Sequence, residues 1–152
     1  MKNEFKPESF SWEGIAPSGY QAGRLETDGP GYRGVTRHVI TGEHGEPAAF
    51  HVRYYDVAPG GYTRLERHGH IHSVTVVRGR GYAVVGDRTH AVRPFDNVYV
   101  APMTFHQFVN DGAEPFGFLC VVDAQRDRPE PASPADVAAL ERMQALVGKL
   151  RI

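Results

Sequence analysis

Three histidines and one carboxylate alternate along a short stretch of this sequence. Glu66, His68, His70 and His72 would point to one face of a β-strand, because strand side chains alternate between the two faces. His106 follows later in the chain, so four of the eight histidines belong to this pattern. Neutral imidazole nitrogen is a favoured ligand for zinc, manganese, iron, nickel and copper. The pattern therefore indicates a divalent metal site.

An alternative is that the histidines form the solvated face of an edge strand. The next residues, 73–77, are mostly β-branched and lead into an Arg-Gly-Arg-Gly turn. A strand that continues into such a segment is expected to be buried, which favours histidines that face inward. A bulge near Gly69 would weaken this alternation.

Composition and charge exclude several classes of protein. The 152 residues suit one domain with its own core, and the net charge of −1 without a long basic stripe gives no electrostatic support for nucleic-acid binding. Cys120 is the only cysteine, which excludes an intrachain disulfide and a cysteine-based zinc knuckle. The N-terminal residues lack an apolar signal region, and no run approaches 18 apolar residues. We therefore expect a cytoplasmic protein that does not bind membranes.

The elements that must position these residues are mostly short strands. Residues 1–34 are rich in glycine and proline and predict an irregular N-terminal arm. Residues 35–41 and 48–57 predict two strands joined by a hairpin, and a Pro-Gly-Gly sequence at 59–61 predicts a break before the histidines. Further strands recur at roughly ten-residue spacing as far as residue 125, which is typical of an all-β antiparallel sandwich or barrel.

The last segment, residues 126–152, predicts a linker followed by an amphipathic α-helix. Ser133 and Pro134 are typical of an N-cap and a first helical position. The apolar stripe that would pack on the barrel or on a partner consists of Val137, Leu140, Met143, Leu146, Val147 and Leu150. The arm and this helix together favour a homodimer.

The stretch from residue 59 to residue 123 resembles the cupin superfamily of small metal-binding β-barrels. With the closing glycine of the first cupin motif placed on Gly79, its two leading histidine positions fall on Glu66 and His68 and its glutamate position falls on His72. The spacing of the second motif is kept at Phe95, Ala101, Met103, His106 and Asn110. The match covers a little under half of the chain.

The resemblance implies a single cupin-type antiparallel β-barrel, or jelly roll, over residues 35–125. It also implies one divalent metal ion per chain, with iron or manganese expected and nickel or zinc as alternatives. The ligands would be a permuted set of three histidines and one carboxylate, Glu66, His68, His72 and His106. His70 would be an alternative ligand or a neighbour of the ligands. By analogy the chain would be an oxygenase of the dioxygenase type that acts on a small organic molecule.

Two other functions stay open. In a non-redox isomerase or lyase of the same fold, His51 or His70 would move a proton. A third function is a module that binds a small ligand without turnover.

A ring of substrate-binding residues is also predicted. His51, Arg53 and Tyr55 share one strand face, from which Arg53 could hold a substrate carboxylate and Tyr55 could donate a hydrogen bond. The alternative is that Arg53 faces solvent. Tyr99 and Phe108 are expected to line the barrel. Cys120 lies on the last strand, where it would either face the metal or be a buried, inert thiol.

Overall fold

The computed structural model describes residues 2–21, 28–29 and 31–152. These residues form fourteen β-strands, one α-helix, α1 (Pro134–Glu141), and a 3-10 turn at Gln144–Leu146. In chain order the strands are β1 (Phe5–Lys6), β2 (Ser11–Trp12), β3 (Ser18–Gly19), β4 (Asp28–Gly29), β5 (Tyr32–Thr41), β6 (Phe50–Tyr62), β7 (Glu66–Arg67), β8 (His72–Arg78), β9 (Gly81–Val85), β10 (Arg88–Val92), β11 (Asn97–Val100), β12 (His106–Val109), β13 (Phe116–Asp123) and β14 (Glu130–Pro131). The structure confirms the all-β prediction.

Twelve of the strands form one antiparallel sheet that curls into a barrel-like shape, with the order β10-β9-β12-β6-β13-β8-β11 along its main path. The long strand β6 pairs with β5 and β13, and its end pairs with β12 through Tyr62 and Val109. Because β6 pairs with different strands along its length, the sheet curls around an interior. The predicted hairpin is confirmed, because β5 and β6 are antiparallel neighbours on either side of residues 42–49.

The interior of the sheet holds the main core. Alternate residues of β6, β8 and β13 point inward, as the two-residue period of a strand requires. The members with no or almost no exposed surface include Val57, Val74, Val76, Phe116, Phe118 and Cys120. The same alternation brings polar side chains to one end of the interior, where the candidate site lies.

A second apolar cluster joins the C-terminal segment to the sheet. Leu140, Leu146 and Leu150 pack with Tyr82 and Val109. The predicted N-cap is present: the hydroxyl of Ser133 accepts a hydrogen bond from the backbone N–H of Asp136, and Pro134 opens the helix.

The continuous C-terminal helix predicted by the apolar stripe is wrong beyond α1. The helix ends at Glu141, and the stripe continues through the 3-10 turn Gln144–Leu146. The buried side chain of Gln107 bonds both the backbone N–H and the carbonyl oxygen of Arg151. These bonds hold the last residues against the sheet without a helix.

Two further sequence predictions fail around the histidines. The strand predicted from Glu66 onward is interrupted, because β7 ends at Arg67 and β8 begins at His72. The break predicted at residues 59–61 does not occur, since β6 runs through to Tyr62.

The segment predicted as a linker contains β14, which pairs with β7. Part of the predicted N-terminal arm, residues 1, 22–27 and 30, lies outside the described residues.

Within the described ranges, no helix combines the length and the apolar character that crossing a bilayer requires.

Candidate metal centre and its cavity

A cavity of about 590 Å³ opens at one end of the curled sheet. Its wall combines three kinds of side chain: a group of histidines, several arginines and an apolar surface that includes Tyr55, Phe108 and Phe118. Such a cavity is large enough for a small organic molecule.

Three histidines from separate segments meet in this cavity. His68 lies in the loop after β7, His72 begins β8 and His106 begins β12. One ring nitrogen from each of the three lies within 4.8 Å of those of the other two. The ring centroids of His68 and His72 are 4.3 Å apart, and those of His68 and His106 are 4.8 Å apart. Three buried imidazoles at this separation could bind one divalent ion.

Backbone carbonyls orient two of these rings. Nδ1 of His68 donates a hydrogen bond to the carbonyl oxygen of His70 at 2.8 Å, and Nδ1 of His106 donates to that of Thr104 at 3.0 Å. With the proton on Nδ1, the Nε2 atom of each ring carries a free lone pair. Nε2 of His68 is buried and has no hydrogen-bond partner among the described residues. A bound metal ion would satisfy this atom, so the residues present fit such a group.

Burial keeps the three imidazoles neutral. It lowers the pKa of His106 to about 4 and lowers the pKa of His68 and His72 as well. Repulsion from His106 adds to the effect at His72. Neutral imidazole is the form that binds metal, so the site is ready for a cation near neutral pH.

Glu66 lies beside this group and outside the set of atoms within 4.8 Å. Residue 66 is the cross-strand partner of His106. Its carboxylate accepts hydrogen bonds from the hydroxyl of Tyr20 and the side-chain amide of Gln21, both at 3.4 Å. Burial raises the pKa of Glu66 to about 7. The fourth ligand therefore stays a prediction, with Glu66 and His70 as the candidates.

His70 is held in place by Asp127, which also lines the cavity. Nδ1 of His70 donates to the Asp127 carboxylate at 2.6 Å, and the backbone N–H groups of Gly69 and His70 donate to the same carboxylate. These hydrogen bonds, that from Gly69 first, lower the pKa of Asp127. The His70 ring stacks on His68 with centroids 3.7 Å apart, and its Nε2 is 3.3 Å from Nε2 of His72. His70 thus lies directly beside two members of the three-histidine group.

The predicted substrate-binding residues divide into two groups. Arg53, Tyr55, Phe108 and Cys120 line the cavity. The structure contradicts the alternative of a solvent-facing Arg53, whose exposed fraction is 6%. The sulfur of Cys120 lies 3.2 Å from Nδ1 of His72 and 3.8 Å from Nη2 of Arg53.

Tyr99 and His51 do not line the cavity. Tyr99 is 58% exposed, because its neighbour Val100 takes the buried position on β11 and the side chains alternate. His51 is buried at the side, where its Nδ1 accepts a hydrogen bond from Arg126 at 3.3 Å and lies 3.6 Å from Glu43. The prediction that Tyr99 lines the barrel is wrong, and nothing places His51 beside the three histidines.

Sequence reasoning missed ten of the residues that line the cavity. Five of them are Tyr20, Gln21, Arg37, Arg126 and Asp127. They come from the predicted arm, the first long strand and the predicted linker, so no motif spacing connects them to the histidines. The only available signal was the density of charged residues in the segment after residue 124.

A curled antiparallel sheet with three inward histidines defines the cupin class of proteins. The model of the Cupin domain family matches residues 53–122, and the chain belongs to the cupin family. It is 37% identical over 148 residues to the 1-methylthio-D-xylulose 5-phosphate methylsulfurylase of Rhodospirillum rubrum. The alignment covers 96% of this chain and 91% of that protein.

Solved structures are similar over nearly the whole chain. A cupin 2 conserved barrel domain protein from Rhodopseudomonas palustris shares 32% identity with a TM-score of 0.86, and the match covers 100% of both chains. A cupin 2 domain-containing protein from Halorhodospira halophila shares 39% identity with a TM-score of 0.74, covering 94% of this chain and 91% of that one. These similarities confirm the predicted cupin fold.

Proposed function

We propose that this chain is a divalent-metal-dependent enzyme that removes the methylthio group from a 1-methylthio-ketopentose 5-phosphate. The observation that carries the proposal is one cavity that contains three histidines, a thiol and several arginines. The name of the Rhodospirillum rubrum relative supports this substrate class, because the two chains match over 96% of this one.

The metal would be held by His68, His72 and His106, with Glu66 or His70 as the fourth ligand. Iron or manganese suits a mixed set of nitrogen and oxygen ligands. A bound ion would supply Lewis acidity to a carbonyl oxygen of the substrate. The aromatic wall formed by Tyr55, Phe108 and Phe118 would exclude water from the reacting groups.

In this proposal Cys120, which lines the cavity beside His72, accepts the methylthio group. The sulfur–carbon bond of the substrate breaks with its electron pair on C1, next to the carbonyl, and the Cys120 sulfur forms a disulfide with the departing CH₃S group. C1 gains one proton, which balances the proton lost by the thiol. A second, small-molecule thiol then reduces the methyl disulfide and restores Cys120. C1 is reduced and the two sulfurs are oxidised, so electrons balance.

The direct test is to incubate the metal-loaded protein with 1-methylthio-D-xylulose 5-phosphate and to follow the substrate by NMR. We expect the methylthio signal to leave the sugar and a C1 methyl group to replace it. Without an added thiol, mass spectrometry should find one methylthio group on Cys120. Cys120→Ser should abolish both results, whereas His90→Ala, which changes an exposed histidine on β10, should preserve them. An unchanged substrate with fully metal-loaded protein would contradict the proposal.

An oxygenase reaction is the second candidate, as the resemblance to metal-binding cupins implied. Three histidine ligands leave further positions on an octahedral ion for exogenous ligands, and this arrangement favours the candidate. Oxygen uptake in the same reaction mixture separates the two functions. Sugar desulfurisation under strictly anaerobic conditions would contradict the oxygenase. Rearrangement of the sugar without sulfur loss would instead favour an isomerase.

A further inference from the structure

We propose that Arg37, Arg53 and Arg126 form a subsite for the phosphate group of a phosphomonoester substrate. The inference rests on the proposed function for the identity of the substrate, and it adds the residues that recognise the phosphate. Arg37 lies on β5, Arg53 on the neighbouring β6, and Arg126 in the segment after β13. All three line the cavity that contains the histidines.

Arg53 is a buried cation without a carboxylate partner. Its side chain is almost fully buried, and no ion pair within 4.0 Å is found for it among the described residues. Its Nε atom is buried and unpartnered there, its Nη2 donates to the sulfur of Cys120 at 3.8 Å, and its guanidinium lies over the ring of Tyr55 with Cζ 5.4 Å from the ring centroid. A buried charge is costly unless it is paired, so an arginine in this state is expected to bind an anion.

The two other arginines are positioned by neutral groups. Nε of Arg37 donates to the hydroxyl of Ser18 at 3.3 Å. Nη1 of Arg126 donates to the carbonyl oxygens of Asp123 and Ala124 at 3.0 and 3.2 Å. These bonds fix the side chains without neutralising their charge. The cavity thus contains a cationic cluster that is built before any ligand enters.

The positive charges of Arg53 and Arg37 both act on Arg126. The pKa of Arg126 is lowered first by burial and then by Arg53, with a smaller contribution from Arg37, whereas Tyr55 and Glu43 act in the opposite direction. Five arginines line the cavity against two carboxylates, Glu66 and Asp127. Asp127 is already bonded to Gly69 and His70. A phosphate dianion offers enough charge and enough acceptor oxygens for several arginines, whereas one carboxylate does not.

The test compares binding of D-ribulose 5-phosphate with binding of D-ribulose to the metal-loaded protein by calorimetry. We expect the phosphorylated sugar to bind at least about tenfold more tightly, because each charge-assisted hydrogen bond strengthens binding by roughly ten- to a hundredfold. Arg53→Gln and Arg126→Gln should each weaken the phosphorylated sugar by about tenfold or more and leave the unphosphorylated sugar and the metal content unchanged. Arg88→Gln is the matched control, since Arg88 pairs with Asp87 at the surface.

Equal affinity for the two sugars, or unchanged affinity for the phosphate in both variants, would overturn the subsite. Arg126 is only partly buried, so Arg126→Gln keeps the test valid if loss of Arg53 prevents folding. Failure of the proposed function gives a different result. In that event phosphate binding would still depend on the arginines, while the methylthio sugar would pass through unchanged.

Discussion

Asp127 and His70 are joined by a hydrogen bond of 2.6 Å, although they belong to segments on opposite sides of β8–β13 in the chain. The same carboxylate receives the backbone N–H groups of Gly69 and His70. A β-carbon at residue 69 would lie 3.3 Å from Oδ2 of Asp127, so glycine lets the carboxylate approach closely. This contact ties the loop that carries His68 to the segment that carries Arg126.

Replacing Asp127 with Asn should loosen that loop. The amide cannot accept the three hydrogen bonds as an ionised carboxylate does, so the loop should open more often. Hydrogen exchange should detect faster exchange at the backbone amides of Gly69 and His70. Asp123→Asn serves as the control, because Asp123 is exposed and contacts Arg126 through its backbone carbonyl. Equal exchange in both variants would show that Asp127 does not hold the loop.

The metal site predicts a simple result for histidine variants. His68→Ala and His106→Ala each remove one nitrogen of the three-histidine group, so metal affinity should fall by more than about tenfold. Mass spectrometry of protein purified without chelators measures the metal content per chain. His90→Ala removes an exposed histidine outside the cavity and should keep the full content. Unchanged metal in both cavity variants would rule out this site.

The sequence predicted which histidines come together more accurately than it predicted the secondary structure on which they lie. The motif spacing placed Glu66, His68, His72 and His106 together, and in the structure one ring nitrogen from each of the three histidines lies within 4.8 Å of those of the other two. The expected reason, one continuous strand, is wrong, because residues 68–71 form a loop. The prediction from motif spacing stays valid despite this break, because it depends on which residues come together and not on the conformation of the backbone between them.

Residues distant in sequence were beyond prediction for a physical reason. Tyr20 and Asp127 contact Glu66 and His70 across 46 and 57 residues of sequence, from segments that precede and follow the strands of the site. Neither segment has a periodic pattern that could have predicted these contacts. The prediction for Tyr99 failed for a different reason. Side chains of β11 alternate between the two faces of the sheet, so a one-residue error in assigning them moves an aromatic ring from the interior to the surface.

The C-terminal segment should contribute strongly to stability through Leu146. This side chain is fully buried against the sheet, so Leu146→Ala should lower the free energy of unfolding by about 2–5 kcal/mol. Its neighbour Val147 is largely exposed, and Val147→Ala should change the free energy of unfolding by less than about 0.5 kcal/mol. Urea unfolding followed by tryptophan fluorescence and circular dichroism compares the two. A small effect of Leu146→Ala would mean that the segment is not part of the cooperative fold.

Glu66 should make the metal-free protein less stable as the pH rises. Its pKa is about 7 in the folded state because of burial, against 4.5 when unperturbed. Between these values the folded state keeps a proton that the unfolded state has lost, so stability is full below pH 4.5, falls as the pH rises to 7 and is constant above it. The expected loss is roughly 3 kcal/mol.

Glu66→Gln should abolish this loss, and the difference between the two proteins isolates it. The buried histidines have lowered pKa values and act in the opposite direction, since their contribution is lost as the pH falls below 6.5. Because both proteins share these histidines, the effect cancels when urea unfolding at pH 5 and pH 8 is compared between them. If wild type and Glu66→Gln show the same pH dependence, the Glu66 carboxylate is ionised in the folded protein at pH 5 and its burial is compensated by its neighbours.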